Sequence, residues 1–196
     1  MNGSILDFWF IWLVIIILGV YPFIRARLMK KASLPVAWDQ VEALDRDKYR
    51  VIHNFRVELH ELPSRIDYLI LSEAGFFIVK GINGKGRITG KENDHEWTHS
   101  TGLLKIKFPN PIRIGSLYRE AVAEKLKDYP SAPLLPIMVF PDQAKLAVNA
   151  PSGKIINAHE LENLLNSHSG KKLAKSDIEK IYDSLVEKSE CRVSNI

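Results

Sequence analysis

"RIDYLILSEAGFFIVKGI", residues 65–82, consists of two apolar runs separated by Ser72, Glu73, Ala74 and Gly75. Runs of this length, rich in branched and aromatic residues and broken by a turn that ends in glycine, predict a β-hairpin. Gly75 suits the positive φ that other residues avoid. A turn centred between Glu73 and Ala74 sets residues whose numbers sum to about 147 face to face, so Asp67 stands opposite Lys80. A charge inside an apolar strand is costly unless something pairs with it. The register offers a cross-strand ion pair with Asp67; the plainer reading is that Lys80 reaches solvent from an edge strand.

Outward from the hairpin, "KYRVIHNFRVEL" alternates and predicts a further strand, and Trp38, Val41 and Leu44 recur at helical spacing over about residues 36–46. On the other side, "GRITG" and the Trp97 segment read as short strands or edge loops, and "GLLKIKF" as an alternating strand stopped by "PNP". Ile114, Leu117, Tyr118, Val122 and Leu126 then mark an amphipathic helix over 112–127. "APLLPIMVF" is the near-continuous apolar run of a strand covered on both faces. A short strand "AKLAV", a helix capped by Asn157 and a last helix opened by a capping box of Ser176 and Glu179 complete the chain. The order predicts an α/β fold, a mixed central sheet flanked by helices.

Residues 8–24 carry no charge, and as a helix they would measure about 25 Å, close to the thickness of a bilayer core. The expectation is a transmembrane helix over 5–24, then a basic linker over 25–38 with Arg25, Arg27, Lys30 and Lys31. That charge asymmetry implies a single pass through the inner membrane, N-terminus out, with the rest of the chain cytoplasmic and the membrane as a partner. The body is expected at 39–165, with a C-terminal helical extension at 166–196. All 27 Lys and Arg lie beyond residue 24 with 22 of the 23 acids, and the linker holds four of the positive charges, so the body is nearly neutral. The basic balance therefore argues for topology signals more than for a nucleic-acid footprint. A single cysteine, Cys191, excludes an intrachain disulfide and a cysteine-rich zinc module.

The succession "RIDYLILSEAGFFIVKGINGKGRITG", "EWT", "FPNPIR" and "PIMVF" resembles the nuclease-related domain, the NERD family, over about residues 39–165. Ile66, Asp67, Gly75, the "GRITG" string, Trp97, Asn110 and Pro111 carry the resemblance. It implies a restriction-endonuclease-like core of the PD-(D/E)xK group. In that group two carboxylates on neighbouring strands hold Mg²⁺, and a lysine two residues after the second helps the attacking water. Asp67 matches the first carboxylate, and Glu42 or Asp39 on the first helix matches the acid carried there. The family pattern then implies glutamate at 80, lysine at 82 and glutamine near 114, where this chain has Lys80, Ile82 and Ile114. The resemblance thus implies a degenerate catalytic site without metal or cofactor, in a pseudoenzyme that binds nucleic acid or a membrane or cytoplasmic protein. The alternative it leaves is a Mg²⁺-dependent endonuclease whose second acid has moved, with Glu42, Asp39, Glu73, Asp94 and Glu96 as candidates.

Other motifs compete. "HEWTH", residues 95–99, fits the zinc-protease pattern, with Glu120 as a third ligand, but only on a helix do His95 and His99 share one metal. Turn-like neighbours on both sides argue against that helix. "NGKGRITGK" lacks the spacing of a phosphate loop and reads as a turn. Lys85, Arg87, Lys91 and Arg113, with Lys105 and Lys107, form a candidate surface for a phosphate backbone, or a solvated basic face.

Overall fold

Pairing spreads both ways from the hairpin at Ser72–Gly75 in the computed structural model, which describes residues 36–127, 129, 133–168 and 173–190. The hairpin strands are β2 (Leu62–Ser72) and β3 (Gly75–Gly81). Gly75 has φ +142°, and a Cβ there would stand 2.8 Å from the Pro133 carbonyl oxygen, so the turn needs glycine for conformation and for space. β1 (Arg50–Leu59) pairs antiparallel with β2, and β7 (Leu134–Phe140) pairs parallel with β3. β9 (Lys154–Asn157) extends the sheet in parallel beyond β7, giving the five-stranded order β1-β2-β3-β7-β9.

Both faces of this sheet are buried, as the apolar runs require. On one face Leu69, Leu71, Phe76 and Ile78 pack with Tyr118 and Val122 of α2 (Pro111–Lys125) and with Ile178, Ile181 and Leu185 of α4 (Lys175–Glu190). On the other, Tyr68, Ile70, Phe77, Val79 and Ile137 pack with Val41 of α1 (Trp38–Glu42) and with Leu161 and Leu165 of α3 (Leu161–Ser167). A second sheet joins β4 (Gly86–Lys91), β5 (Glu96–Thr101), β6 (Leu104–Pro109) and β8 (Ala144–Asn149) in the order β6-β5-β4-β8. Its core is Ile88 and Trp97 against Phe140 and Ala144.

Asn110 ties the second sheet to α2. Its Oδ1 accepts from the Ile112 amide at 2.9 Å, and its Nδ2 donates to the carbonyls of Glu92 (2.8 Å) and Asp94 (2.7 Å). Pro111 follows at the first helical position, where no N–H is needed.

Three local features differ from expectation. The β1–β2 turn is made by His60 (φ +49°) and Glu61 (φ +66°), a pair with no glycine or asparagine to signal it. β9 has only four residues, too few for a periodic signal. The Ser176–Glu179 capping box gives way to a helix that already starts at Lys175, and the Glu179 carboxylate accepts from Arg50 Nε at 3.1 Å.

The membrane expectation requires correction. Residues 5–24 lie outside the described residues, and among those described no helix is long and apolar enough to cross a membrane. α4, with 16 residues, spans only about 24 Å and carries charges along its length. The anchored single-pass topology, the inner-membrane location and the membrane as partner therefore find no support among the described residues. An uncharged run of sufficient length licenses a span but does not establish one. The supported architecture is the mixed sheet flanked by helices.

Candidate nuclease-related site

The β2–β3 ladder ends at Tyr68–Val79, and one step further the Asp67 side chain takes its place. Asp67 Oδ1 accepts from Lys80 Nζ at 2.9 Å, and Oδ2 accepts from the Gly81 backbone N–H at 2.8 Å. Lys80 Nζ also donates to the Arg65 carbonyl at 3.0 Å. The ammonium in the apolar strand is therefore held by a carboxylate and a carbonyl. The register that sets residue 67 against residue 80 is the one that the turn residues dictate.

A break in alternation opens this position. Ile52, Phe55 and Val57 share one core cluster, as do Ile66 and Leu69, although 52 and 55, like 66 and 69, should point to opposite faces of a regular strand. Asn54 has φ +54°, and it stands opposite Asp67 between the His53–Tyr68 and Phe55–Ile66 rows. The left-handed residue turns the strand by one face. Sequence alternation passes over it because asparagine adopts this conformation without a neighbouring glycine.

Ile82 and Ile114 are partly buried against the same cluster as Ile78 and Tyr118. The Tyr118 hydroxyl lies 3.1 Å from Ser64 Oγ and reaches the Arg65 carbonyl that also receives Lys80. Thus two of the altered positions contribute apolar packing to that cluster instead of polar groups. Glu42 stands on α1, on the Tyr68 side of the sheet, where it lies 3.2 Å from Arg46 and 3.7 Å from His53. Glu73 is in the β2–β3 turn, at the far end of both strands from the pair. Asp94 accepts from the Lys91 amide at 2.7 Å, and Glu96 lies 3.7 Å from Lys107.

Tyr68 is buried, and among the described residues its hydroxyl has no hydrogen-bond partner. Burial raises its pKa, and the charges of Asp67, Glu42 and Asp39 raise it further. Removing an orphaned buried hydroxyl relieves a desolvation cost. Tyr68→Phe is expected to leave stability unchanged or to raise it by about 1 kcal/mol in denaturant unfolding. A loss above about 1 kcal/mol would mean that the hydroxyl has a partner.

These residues do not fit a Mg²⁺ site. Magnesium demands near-octahedral oxygen ligation and is held through one or two carboxylates with water and substrate phosphate. Here both Asp67 oxygens are engaged by N–H donors, and a cation sits 2.9 Å from one of them. Among the described residues no three His, Cys, Asp or Glu side chains gather in a way that could hold a metal ion.

The zinc pattern is dispersed. Residues 96–101 form β5, where side chains four apart share a face but stand about 13 Å from each other. His95 Nδ1 lies 3.1 Å from Arg113, His99 Nε2 contacts the Lys85 carbonyl, and Glu120 is on α2. The basic candidates partly converge. Arg87 and Lys91 project from the outer face of β4, while Ile88 between them turns into the core. Lys145 of β8 pairs in register with Arg87, a neighbour that sequence separation hides. A shallow trough of about 560 Å³ runs over Thr89, Lys91, Glu96, Thr98 and Asn149. Lys85 is exposed just before β4, and Arg113 stands apart in the first turn of α2.

Residues 34–141 match the family described as nuclease-related domain. The chain belongs to this family. The matched range starts just before α1 and ends after β7, so the NERD domain takes in the Asp67–Lys80 pair, the Trp97 strand and the Asn110 cap. An uncharacterized protein of Bacillus anthracis is 22% identical over 160 residues, which is 80% of this chain and 74% of that protein. No solved structure matches.

Proposed function

We propose that this NERD domain acts on nucleic acid. Family membership supports the target, as does the outer face of the second sheet, where Arg87 and Lys91 project and make no ion pair among the described residues. Ammonium and guanidinium groups left unpaired on an open polar face suit a phosphate backbone. The family assignment favours the endonuclease alternative over a binding module. The Asp67–Lys80 pair sets its condition: position 80 supplies no acid, so any cleavage must recruit another carboxylate. Glu42 and Asp39 are the candidates nearest in the fold, since α1 packs through Val41 on the Tyr68 face of the sheet. The second reading, backbone binding without cleavage, rests on that same pair.

One set of measurements separates these readings. The full chain is titrated with labelled single- and double-stranded oligonucleotides at rising salt, then incubated with supercoiled plasmid and Mg²⁺ or Mn²⁺. Affinity is expected to fall with salt, and Arg87→Ala or Lys91→Ala should reduce the logarithmic slope by about one per lost phosphate contact. Absence of binding would end the proposal. Nicking that disappears in both Asp67→Ala and Glu42→Gln assigns the relocated-acid enzyme. Binding without nicking assigns the second reading, and Lys80→Glu with Ile82→Lys and Ile114→Gln then tests whether the altered positions alone account for the missing cleavage.

A further inference from the structure

Among the described residues four large apolar side chains are strongly exposed, and three of them, Leu103, Leu104 and Ile106, fall within one hairpin. That hairpin joins β5 to β6, and β6 is the edge of the second sheet. Leu103 is fully exposed and Leu104 is 60% exposed, so this cluster lies outside the core that Phe108 joins two residues later.

The edge has a definite chemistry. Thr101 pairs with Leu104 across the two-residue turn Gly102–Leu103, and Gly102 has φ +60°. Residues flanking a two-residue hairpin loop exchange both backbone hydrogen bonds, and the bonded rows then alternate. Leu104, Ile106 and Phe108 therefore bond inward to β5, while the backbone groups of Lys105 and Lys107 face the open edge. Pro109 offers no N–H, and the buried Asn110 cap fixes the far end of the strand. The edge thus presents a short, fixed ladder with apolar side chains on one face and two exposed ammonium groups on the other, of which Lys107 lies 3.7 Å from Glu96 of β5 and Lys105 makes no ion pair among the described residues.

Charge decides what fits. A second copy of β6 laid antiparallel on this edge would crowd the Lys105 and Lys107 side chains of both chains onto one face, which is how edge strands resist self-pairing. An added strand with carboxylates on the lysine face and apolar residues on the Leu104 and Ile106 face meets no such cost. We propose that the β6 edge is a docking site for an extended segment of a partner protein in which acidic and apolar residues alternate, bound by strand addition. This site is separate from the Asp67–Lys80 pair and does not depend on the nucleic-acid reading.

The test uses the full chain, labelled with ¹⁵N, and a short peptide of alternating glutamate and valine as the probe. Binding is expected to shift amide resonances along β6 and to slow exchange of the Lys105 and Lys107 amides by about ten-fold or more. A lysine–valine peptide should leave both unchanged. Lys105→Pro removes an outward N–H that the β5–β6 ladder does not use, so the fold persists by circular dichroism while peptide affinity falls by about ten-fold or more. Lys105→Glu with Lys107→Glu should reverse the preference between the two peptides. The proposal is overturned by shifts that map elsewhere, by equal binding of both peptides, by Lys105 and Lys107 amides already protected in the free chain, by protection from an oligonucleotide instead of the peptide, or by self-association that Lys105→Pro abolishes.

Discussion

Lys80→Met is expected to cost the fold about 2–4 kcal/mol at neutral pH, seen as a lower denaturant midpoint with an unchanged slope. The Asp67 side chain is only 9% exposed, so removing its cation leaves a carboxylate held by a single N–H in apolar surroundings. Asp67→Asn alone should also destabilise, because the ammonium then keeps only the Arg65 carbonyl and water. The double variant should lie close to the native chain, because both charges leave together and the Gly81 N–H can still donate to an amide oxygen. The cycle is therefore expected to give a coupling of about 2–3 kcal/mol. A Lys80 that merely snorkelled would show a coupling below about 1 kcal/mol, as exposed pairs do. The measurement bears on function as well, since a strongly coupled pair is what a metal ion and an acid recruited from elsewhere would have to displace from Asp67.

This pair was legible because it depends on local grammar. A turn that ends in Gly75 and two apolar runs fix the register, and the register places residue 67 against residue 80. The covered strand at Leu134–Phe140 was legible for a similar reason, since only a sheet buried on both faces uses so continuous an apolar run. What escaped sequence reading lacked a local signal. Asn54 turns β1 by one face without a glycine, and His60–Glu61 form a tight turn from two residues that seldom take positive φ. Glu179 satisfies the spacing of a capping box, but the more distant Arg50 takes its carboxylate. Lys145 joins Arg87 only through a parallel pairing between strands far apart in sequence. The uncharged N-terminal run is the opposite case, because composition alone carried the topology and no helix among the described residues is long and apolar enough to support it.

Trp97→Ala is expected to be the most destabilising single change in the second sheet, at about 3–5 kcal/mol. The indole is fully buried against Ile88 and Phe140, and its Nε1 donates to the Lys91 carbonyl at 2.9 Å. Gly90 is its counterpart: a Cβ there would stand 2.3 Å from Trp97 Cδ1 and 2.4 Å from Cγ, well inside contact distance. No positive φ is involved, so glycine is needed at position 90 for space and not for conformation. Gly90→Ala should accordingly cost about 2–3 kcal/mol by overpacking. Because the clash and the cavity occupy the same volume, Gly90→Ala with Trp97→Ala should be less destabilised than the two costs together by about 1–3 kcal/mol. Strict additivity in urea unfolding would show that the glycine and the indole are not a packed pair. The same pair controls the Lys91–Asp94 turn that Asn110 holds from the other side, so Trp97→Ala should also free the start of α2, seen as faster amide exchange at Ile112. A loose α2 carries Ile114 and Tyr118 away from the Asp67–Lys80 pair, which makes this packing contact a condition for whatever that site does.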